Sequence, residues 1–226
     1  MKRFTFRVFS ILIACLATSS VLHATPILVN GSLTGPIANG VVPPGWTTLS
    51  ETPDTMDQNN NVGVFGNTQF VTAPAGPSPD GGTWVGFAHN GSFVETFGQS
   101  ISGFTVGAGY TVSWYLGNFG YSGVSPPYGA PNGVEVLLDG VSVGSSSLVS
   151  SGSGWTPQSL NFLATSAIQQ LAFRPVSTAK SYISIDGLAL ANATPTPVPE
   201  PSTVLLLASG LAGILGYGWR RKGTQA

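Results

Sequence analysis

The chain has 226 residues, a single cysteine, two histidines and a net charge of −1 that conceals a strong segregation. Three basic residues, Lys2, Arg3 and Arg7, open the chain and three, Arg220, Arg221 and Lys222, close it. Between Thr25 and Thr194 only Arg174 and Lys180 face eight acids, a local charge of −6. That balance repels phosphate backbones and argues against nucleic acid as a partner. Cys15 alone allows no disulfide framework, so a core must supply the stability.

Lys2, Arg3 and Arg7 precede an apolar run from Val8 to Leu16, and Leu22-His23-Ala24 offers a cleavage site before Thr25. Residues 1–24 therefore read as a secretory signal for Sec export. Leu12-Ile13-Ala14-Cys15 resembles the lipobox of bacterial lipoproteins, in which the cysteine is lipidated. The short spacing from Arg7 and the small, apolar residues continuing to Ala24 favour an ordinary residue of the signal.

From Ile27 onward, short runs rich in Val, Ile, Thr, Phe, Tyr and Trp alternate with Gly, Pro, Asn and Ser clusters. Strands are expected near 27–33, 62–71, 83–88, 93–99, 110–116, 134–138, 141–144, 159–164, 169–175 and 182–190. No amphipathic helix interrupts them, which predicts an all-β fold, an antiparallel β-sandwich, over residues 25–191. Asp139-Gly140, flanked by alternating Val and Leu, predicts a type I′ hairpin. Pro126, Pro127 and Pro131 make Gly120 to Gly133 a long loop carrying Tyr121 and Tyr128. Long loops on sandwiches are where binding concentrates, and aromatic faces suit sugar rings, so Phe119, Tyr121 and Tyr128 are the candidate ligand-binding residues.

Catalytic signatures are scarce. His89 is the one histidine after the signal, which argues against nucleophilic triads and a structural zinc site and leaves it an ordinary loop residue. Glu95, Glu135 and Asp139 are the carboxylates a glycoside hydrolase would need to converge. Asp139 is better used in the hairpin, and Glu135 faces solvent on an alternating strand, so the chain reads as non-enzymatic. Asp54-Thr55-Met56-Asp57-Gln58-Asn59-Asn60-Asn61 is oxygen-rich but lacks the spacing of an EF-hand, and a solvated loop is the simpler reading.

Asn30-Gly31-Ser32-Leu33, Pro44-Gly45-Trp46, Gly109-Tyr110-Thr111-Val112-Ser113-Trp114, Leu137-Leu138-Asp139-Gly140 and Ile185-Asp186-Gly187-Leu188 follow one another in an order that resembles the galactose-binding-like jelly rolls of carbohydrate-binding modules. The resemblance implies a jelly-roll sandwich and a calcium ion where the first and last strands meet, with Asp186 and oxygens near Asn30 as ligands. Thr34 stands where the family often has Glu, which thins that supply.

Residues 192–202 carry Pro195, Pro197, Pro199 and Pro201 in alternation, an extended linker that cannot join a sheet. Residues 203–219 contain no charge and are expected to form one transmembrane helix of about 25 Å, short against a hydrocarbon core of about 30 Å. Arg220, Arg221 and Lys222 place residues 220–226 in the cytoplasm. Pro199-Glu200-Pro201, the short apolar helix and the basic end together resemble the PEP-CTERM sorting signal, also called an ice-binding-protein C-terminal domain. That resemblance implies recognition by an exosortase in the inner membrane of a Gram-negative bacterium that makes exopolysaccharide. Delivery to the cell surface or extracellular matrix would follow. The readings of the sandwich, in order, are a structural or adhesive module, a carbohydrate-binding module and a glycoside hydrolase.

Overall fold

The computed structural model describes residues 25–59, 69–193 and 210. The predicted signal, the Pro-Glu-Pro motif and the basic tail lie outside them, as does the predicted membrane helix apart from Gly210. Among the described residues no helix is long and apolar enough to cross a membrane.

Among the described residues eleven strands form, in chain order: β1 (Thr47–Ser50), β2 (Asp54–Met56), β3 (Trp84–Asn90), β4 (Phe93–Val94), β5 (Thr96–Ser102), β6 (Gly109–Gly117), β7 (Val134–Leu138), β8 (Val141–Ser145), β9 (Thr156–Leu163), β10 (Ile168–Pro175) and β11 (Ser181–Asn192). They build two antiparallel sheets. One runs β1-β5-β10-β7-β8; the other runs β2-β3-β11-β6-β9, with β4 paired to β3. The chain passes repeatedly from one sheet to the other, and the result is the expected jelly-roll sandwich.

Period-two alternation explains which faces meet. On β6, Tyr110, Val112, Trp114 and Leu116 are buried while Thr111, Ser113 and Tyr115 are half-buried on the other face. Phe97 of β5 and Phe173 of β10 come from the opposite sheet with ring centroids 5.7 Å apart, and Trp46 meets Phe97 edge-on at 5.4 Å. Phe87 joins Phe97 at 5.5 Å, closing an aromatic core between the sheets. The hairpin between β7 and β8 has Asp139 at φ 50° and Gly140 at φ 80°, the two positive values that a type I′ turn demands.

The first expected strand does not form. Residues 27–33 make a turn with Asn30 at φ 50° and Leu33 at φ 46°, incompatible with an extended ladder. The segment is held by a side chain instead: Gln99 accepts the Val29 N–H (2.8 Å) and donates to the carbonyls of Val29 (2.9 Å) and Gly45 (2.7 Å). Of the expected strand at 62–71, residues 62–68 lie outside the described set and 69–71 form no strand. β1 and β2 were not anticipated, because Thr47–Ser50 and Asp54–Met56 are short and mostly polar.

Phe97 is fully buried among three aromatic neighbours, whereas Leu163 is 64% exposed. Phe97→Ala is expected to cost about 3–5 kcal/mol in urea unfolding, and Leu163→Ser within ~0.5 kcal/mol of zero. Equal costs would contradict the placement of the core.

Candidate functional site

A cavity of about 310 Å³ opens where β2, β3, β11 and the 120–133 loop meet. Its lining combines four aromatic rings, Phe93, Tyr121, Tyr128 and Tyr182, with two carboxyl groups, Asp54 and Glu95. Asn39, Thr52, Ala88 and Val124 complete it.

Asp54 begins β2 opposite Gly86 of β3. A Cβ at Gly86 would lie 2.7 Å from the Tyr182 hydroxyl and 2.4 Å from Met56 Cε, so only glycine leaves room for Tyr182 to cross β3. The Tyr182 hydroxyl then donates to Asp54 Oδ2 at 2.5 Å, and the Gly40 N–H donates to Oδ1 at 2.7 Å. Glu95 stands between β4 and β5. Its N–H donates to the Ala88 carbonyl at 3.0 Å while its Oε2 accepts the Ala88 N–H at 2.5 Å, and Thr52 Oγ1 donates to Oε1 at 3.1 Å. Backbone and side chain of Glu95 thus both engage β3, and the carboxyl is directed inward.

Burial is the main cause of what these groups do with protons. Loss of water raises Asp54 to about 6, although the Tyr182 and Gly40 hydrogen bonds favour its charged form. Glu95 is raised to about 9, first by burial and then by the negative charge of Asp54. At neutral pH one carboxyl is therefore neutral and its neighbour ionised. Burial, and then Asp54 and Glu95, hold the Tyr182 phenol well above its ordinary value.

Tyr121 and Tyr128 face each other across the loop as an antiparallel bridge, with the Tyr121 N–H donating to the Tyr128 carbonyl at 3.1 Å and the reverse bond at 2.9 Å. Their ring centroids are 6.3 Å apart, and Tyr121 is 6.1 Å from Tyr182. The Tyr121 hydroxyl is buried and has no hydrogen-bond partner among the described residues. Lys180 places its ammonium 4.6 Å from the Tyr128 ring centre.

Phe119 does not join these tyrosines. It is buried against Trp84, Trp155 and Phe70, on the face of the sheet turned away from the core between the sheets, and it does not line the cavity. The three carboxylates of the hydrolase reading do not converge either. Glu135 on β7 is bonded to Arg174 of β10 at 2.6 Å in the other sheet, and Asp139 in its hairpin accepts the Gln170 N–H at 2.8 Å. The partner of Glu95 is Asp54, which sequence reasoning placed in a solvated loop. Within that oxygen-rich run Asp57 Oδ1 accepts the Asn59 N–H at 2.7 Å, while Asn60 and Asn61 lie outside the described residues. His89 is a buried residue of β3, not of a loop.

The calcium expectation divides in two. The Leu188 N–H donates to the Gly31 carbonyl at 2.8 Å, so the first segment does meet the last strand. Asn30, however, uses its side chain to close its own turn: Nδ2 donates to the Thr34 and Pro44 carbonyls and Oδ1 accepts the Thr34 N–H. Asp186 is fully buried, accepts the Ser78 hydroxyl on Oδ2 and keeps Oδ1 without a partner among the described residues. Burial raises it to about 7. No group of three or more His, Cys, Asp or Glu side chains able to hold a metal occurs among the described residues.

A raised carboxyl favours the folded state most when protonated. The contribution of Glu95 is full below its unfolded value near 4 and is lost as pH rises toward about 9, with Asp54 and Asp186 acting in the same direction up to about 6 and 7. The melting temperature is expected to fall between about pH 5 and about pH 9, and Glu95→Gln to flatten that fall and melt higher than the native chain at the alkaline end. A native chain whose melting temperature does not change over this range would contradict the burial of the pair.

Comparison with solved structures finds a cyclase from Fischerella sp. TAU at 18% identity and TM-score 0.45, covering 68% of this chain and 87% of that one. It also finds a family 35 carbohydrate-binding module from Clostridium thermocellum (11% identity, TM-score 0.40, 75% and 100% covered). A CBM35 from Paenibacillus barcinonensis is similar at 11% identity and TM-score 0.39, with 70% and 100% covered. A search of curated protein sequences finds no match. Residues 197–222 match the PEP-CTERM protein-sorting motif, so the chain carries an exosortase sorting signal behind its β-sandwich and is an exported protein.

Proposed function

We propose that the chain is a component of the cell surface or extracellular matrix of a Gram-negative bacterium, brought there by Sec export followed by exosortase processing at its C-terminal motif. Pro199, Glu200 and Pro201 are the recognised residues. The apolar segment 203–219, stopped by Arg220, Arg221 and Lys222, holds the chain in the inner membrane until it is processed. The sandwich then acts as an adhesive module that engages glycan, exopolysaccharide included, through the cavity beside Asp54 and Glu95.

The observation that carries the glycan reading is the coincidence of aromatic rings and hydrogen-bonding carboxyls in one cavity of about 310 Å³. Aromatic faces cover the apolar faces of sugar rings, and carboxyls bond their hydroxyls. Binding is favoured over hydrolysis because all four oxygens of the pair already accept bonds from Gly40, Tyr182, Ala88 and Thr52, which fixes both carboxyls in place. The calcium reading is retained at Asp186 alone, on the strength of its unpartnered Oδ1; Asn30 is bound up in its turn. Equal melting temperatures in millimolar calcium and in chelator would remove it.

Deleting Pro199 to Ala226 is expected to leave export intact and to move the protein from the envelope to the medium; unchanged retention would contradict sorting through the motif. A glycan array probed with the native chain and with Tyr128→Ala tests the cavity. Signals that weaken by about tenfold in the variant support it, as loss of one aromatic stacking partner is worth ~1 kcal/mol or more. Hydrolysis of a polysaccharide that disappears in Glu95→Gln would replace the adhesive reading with an enzymatic one.

A further inference from the structure

The charge around the cavity is one-sided. Asp54 and Glu95 line it, and among the described residues no Lys, Arg or His does. The one ion pair among the described residues, Arg174 with Glu135, lies in the other sheet. Lys180 is near, but its ammonium sits over Tyr128 and donates to the Pro126 carbonyl at 2.5 Å. The two carboxyls are thus buried in one cavity, close enough for Asp54 to act on Glu95, with no cation lining it among the described residues. Such a pair is costly in a dry site, and an arriving cation lowers that cost where an anion raises it.

The aromatic part of the lining suits a cation as well. Tyr121 stands 6.3 Å from Tyr128 and 6.1 Å from Tyr182, so three phenol rings follow one another round the space, with Phe93 beside them. Ring faces attract ammonium groups, most strongly where water is excluded. Tyr128 already attracts one, that of Lys180. The Tyr121 side chain adds a hydroxyl that is without a partner among the described residues, on a residue 7% exposed. A neutral sugar would stack on these rings yet leave the carboxyl pair as it is.

We infer that the cavity takes a sugar bearing a protonated amine, such as a hexosamine unit of a partly deacetylated polysaccharide, with its ammonium against Asp54 and Glu95 and its ring against the tyrosines. This rests on the glycan reading of the same cavity and names the sugar class. The groups that face Glu95 are Asp54 and Glu51 from the segment around β2 and Tyr182 from β11; Tyr121 of the loop faces Asp54. None of these is a cation, and Lys180 is held over Tyr128, so the ligand supplies the cation that the carboxyls lack. Glu95 then ionises as the ammonium arrives, and its proton leaves to buffer.

The test is calorimetric titration of the full-length chain in detergent at pH 7 with three probes: the glucosamine tetramer, the N-acetylglucosamine tetramer and the galacturonic acid tetramer. The glucosamine tetramer is expected to bind about tenfold more tightly than the acetylated one, the scale of a desolvated cation–π contact. The uronate is expected not to bind. Repeating the titration in buffers of different ionisation heat should show proton release that Glu95→Gln abolishes, and Asp54→Asn should erase the preference for the amine. Equal binding of the acetylated and free amines overturns the inference while leaving the glycan reading in place, and preference for the uronate overturns it too. No binding of any probe to a folded chain overturns both.

Discussion

The hydrogen bond from the Tyr182 hydroxyl to Asp54 joins the last strand to the second across 128 residues of sequence. It crosses β3 at the one position, Gly86, where no side chain stands in the way. Because β11 also pairs with β3 on one side and β6 on the other, it is the strand through which the six-stranded sheet is assembled. Asp54, Tyr182 and Glu95 are therefore brought together by the pairing of β2, β4 and β11 with β3. The site is a product of topology rather than of any local motif.

That arrangement sets the character of the cavity. The aromatic core between the sheets is apolar and closed, and it supplies the stability that a chain without disulfides must find in packing. The cavity lies outside that core, against a second cluster built on Met56, Trp84, Ala88, Tyr121 and Tyr182. Two buried carboxyls there reduce the stability of the fold at neutral pH, the direction expected of a binding site and not of a structural joint. Asp186, buried at the bulge in β11 and bonded to Ser78, is a third such group, spatially tied to the first segment of the chain through Leu188 and Gly31.

Most of the sandwich was legible in the sequence because its strands alternate cleanly. Tyr110, Val112, Trp114 and Leu116 announce an inward face, and Asp139-Gly140 announces a turn whose φ values the structure supplies. Residues 27–33 misled, since their Ile, Val and Leu content suits a strand while Asn30-Gly31 bends the backbone and Gln99 takes the ladder's place. The site was half legible. Tyr121 and Tyr128 stood out as aromatics in a proline-bounded loop, and Glu95 was noticed, but with Glu135 and Asp139 as its companions. Nothing local marks Asp54 as buried: it follows Pro53 in a polar run, and only the pairing of β2 with β3 carries it inward. Phe119, two residues before Tyr121 and on the same alternation, packs against Trp84 and Trp155 without reaching the cavity.

Two carboxyls buried in one cavity, with no cation lining it among the described residues, set the chemistry of the site, and the most direct measurement of them is a carbon-13 NMR titration of the Asp54 and Glu95 carboxyl resonances in the unliganded chain. Glu95 is predicted to titrate at about 9 and Asp54 at about 6, with the Glu95 midpoint falling when Asp54→Asn removes the neighbouring charge. Titration of both groups near 4, unaffected by that substitution, would mean that they are solvated and apart, and would contradict the account at its base.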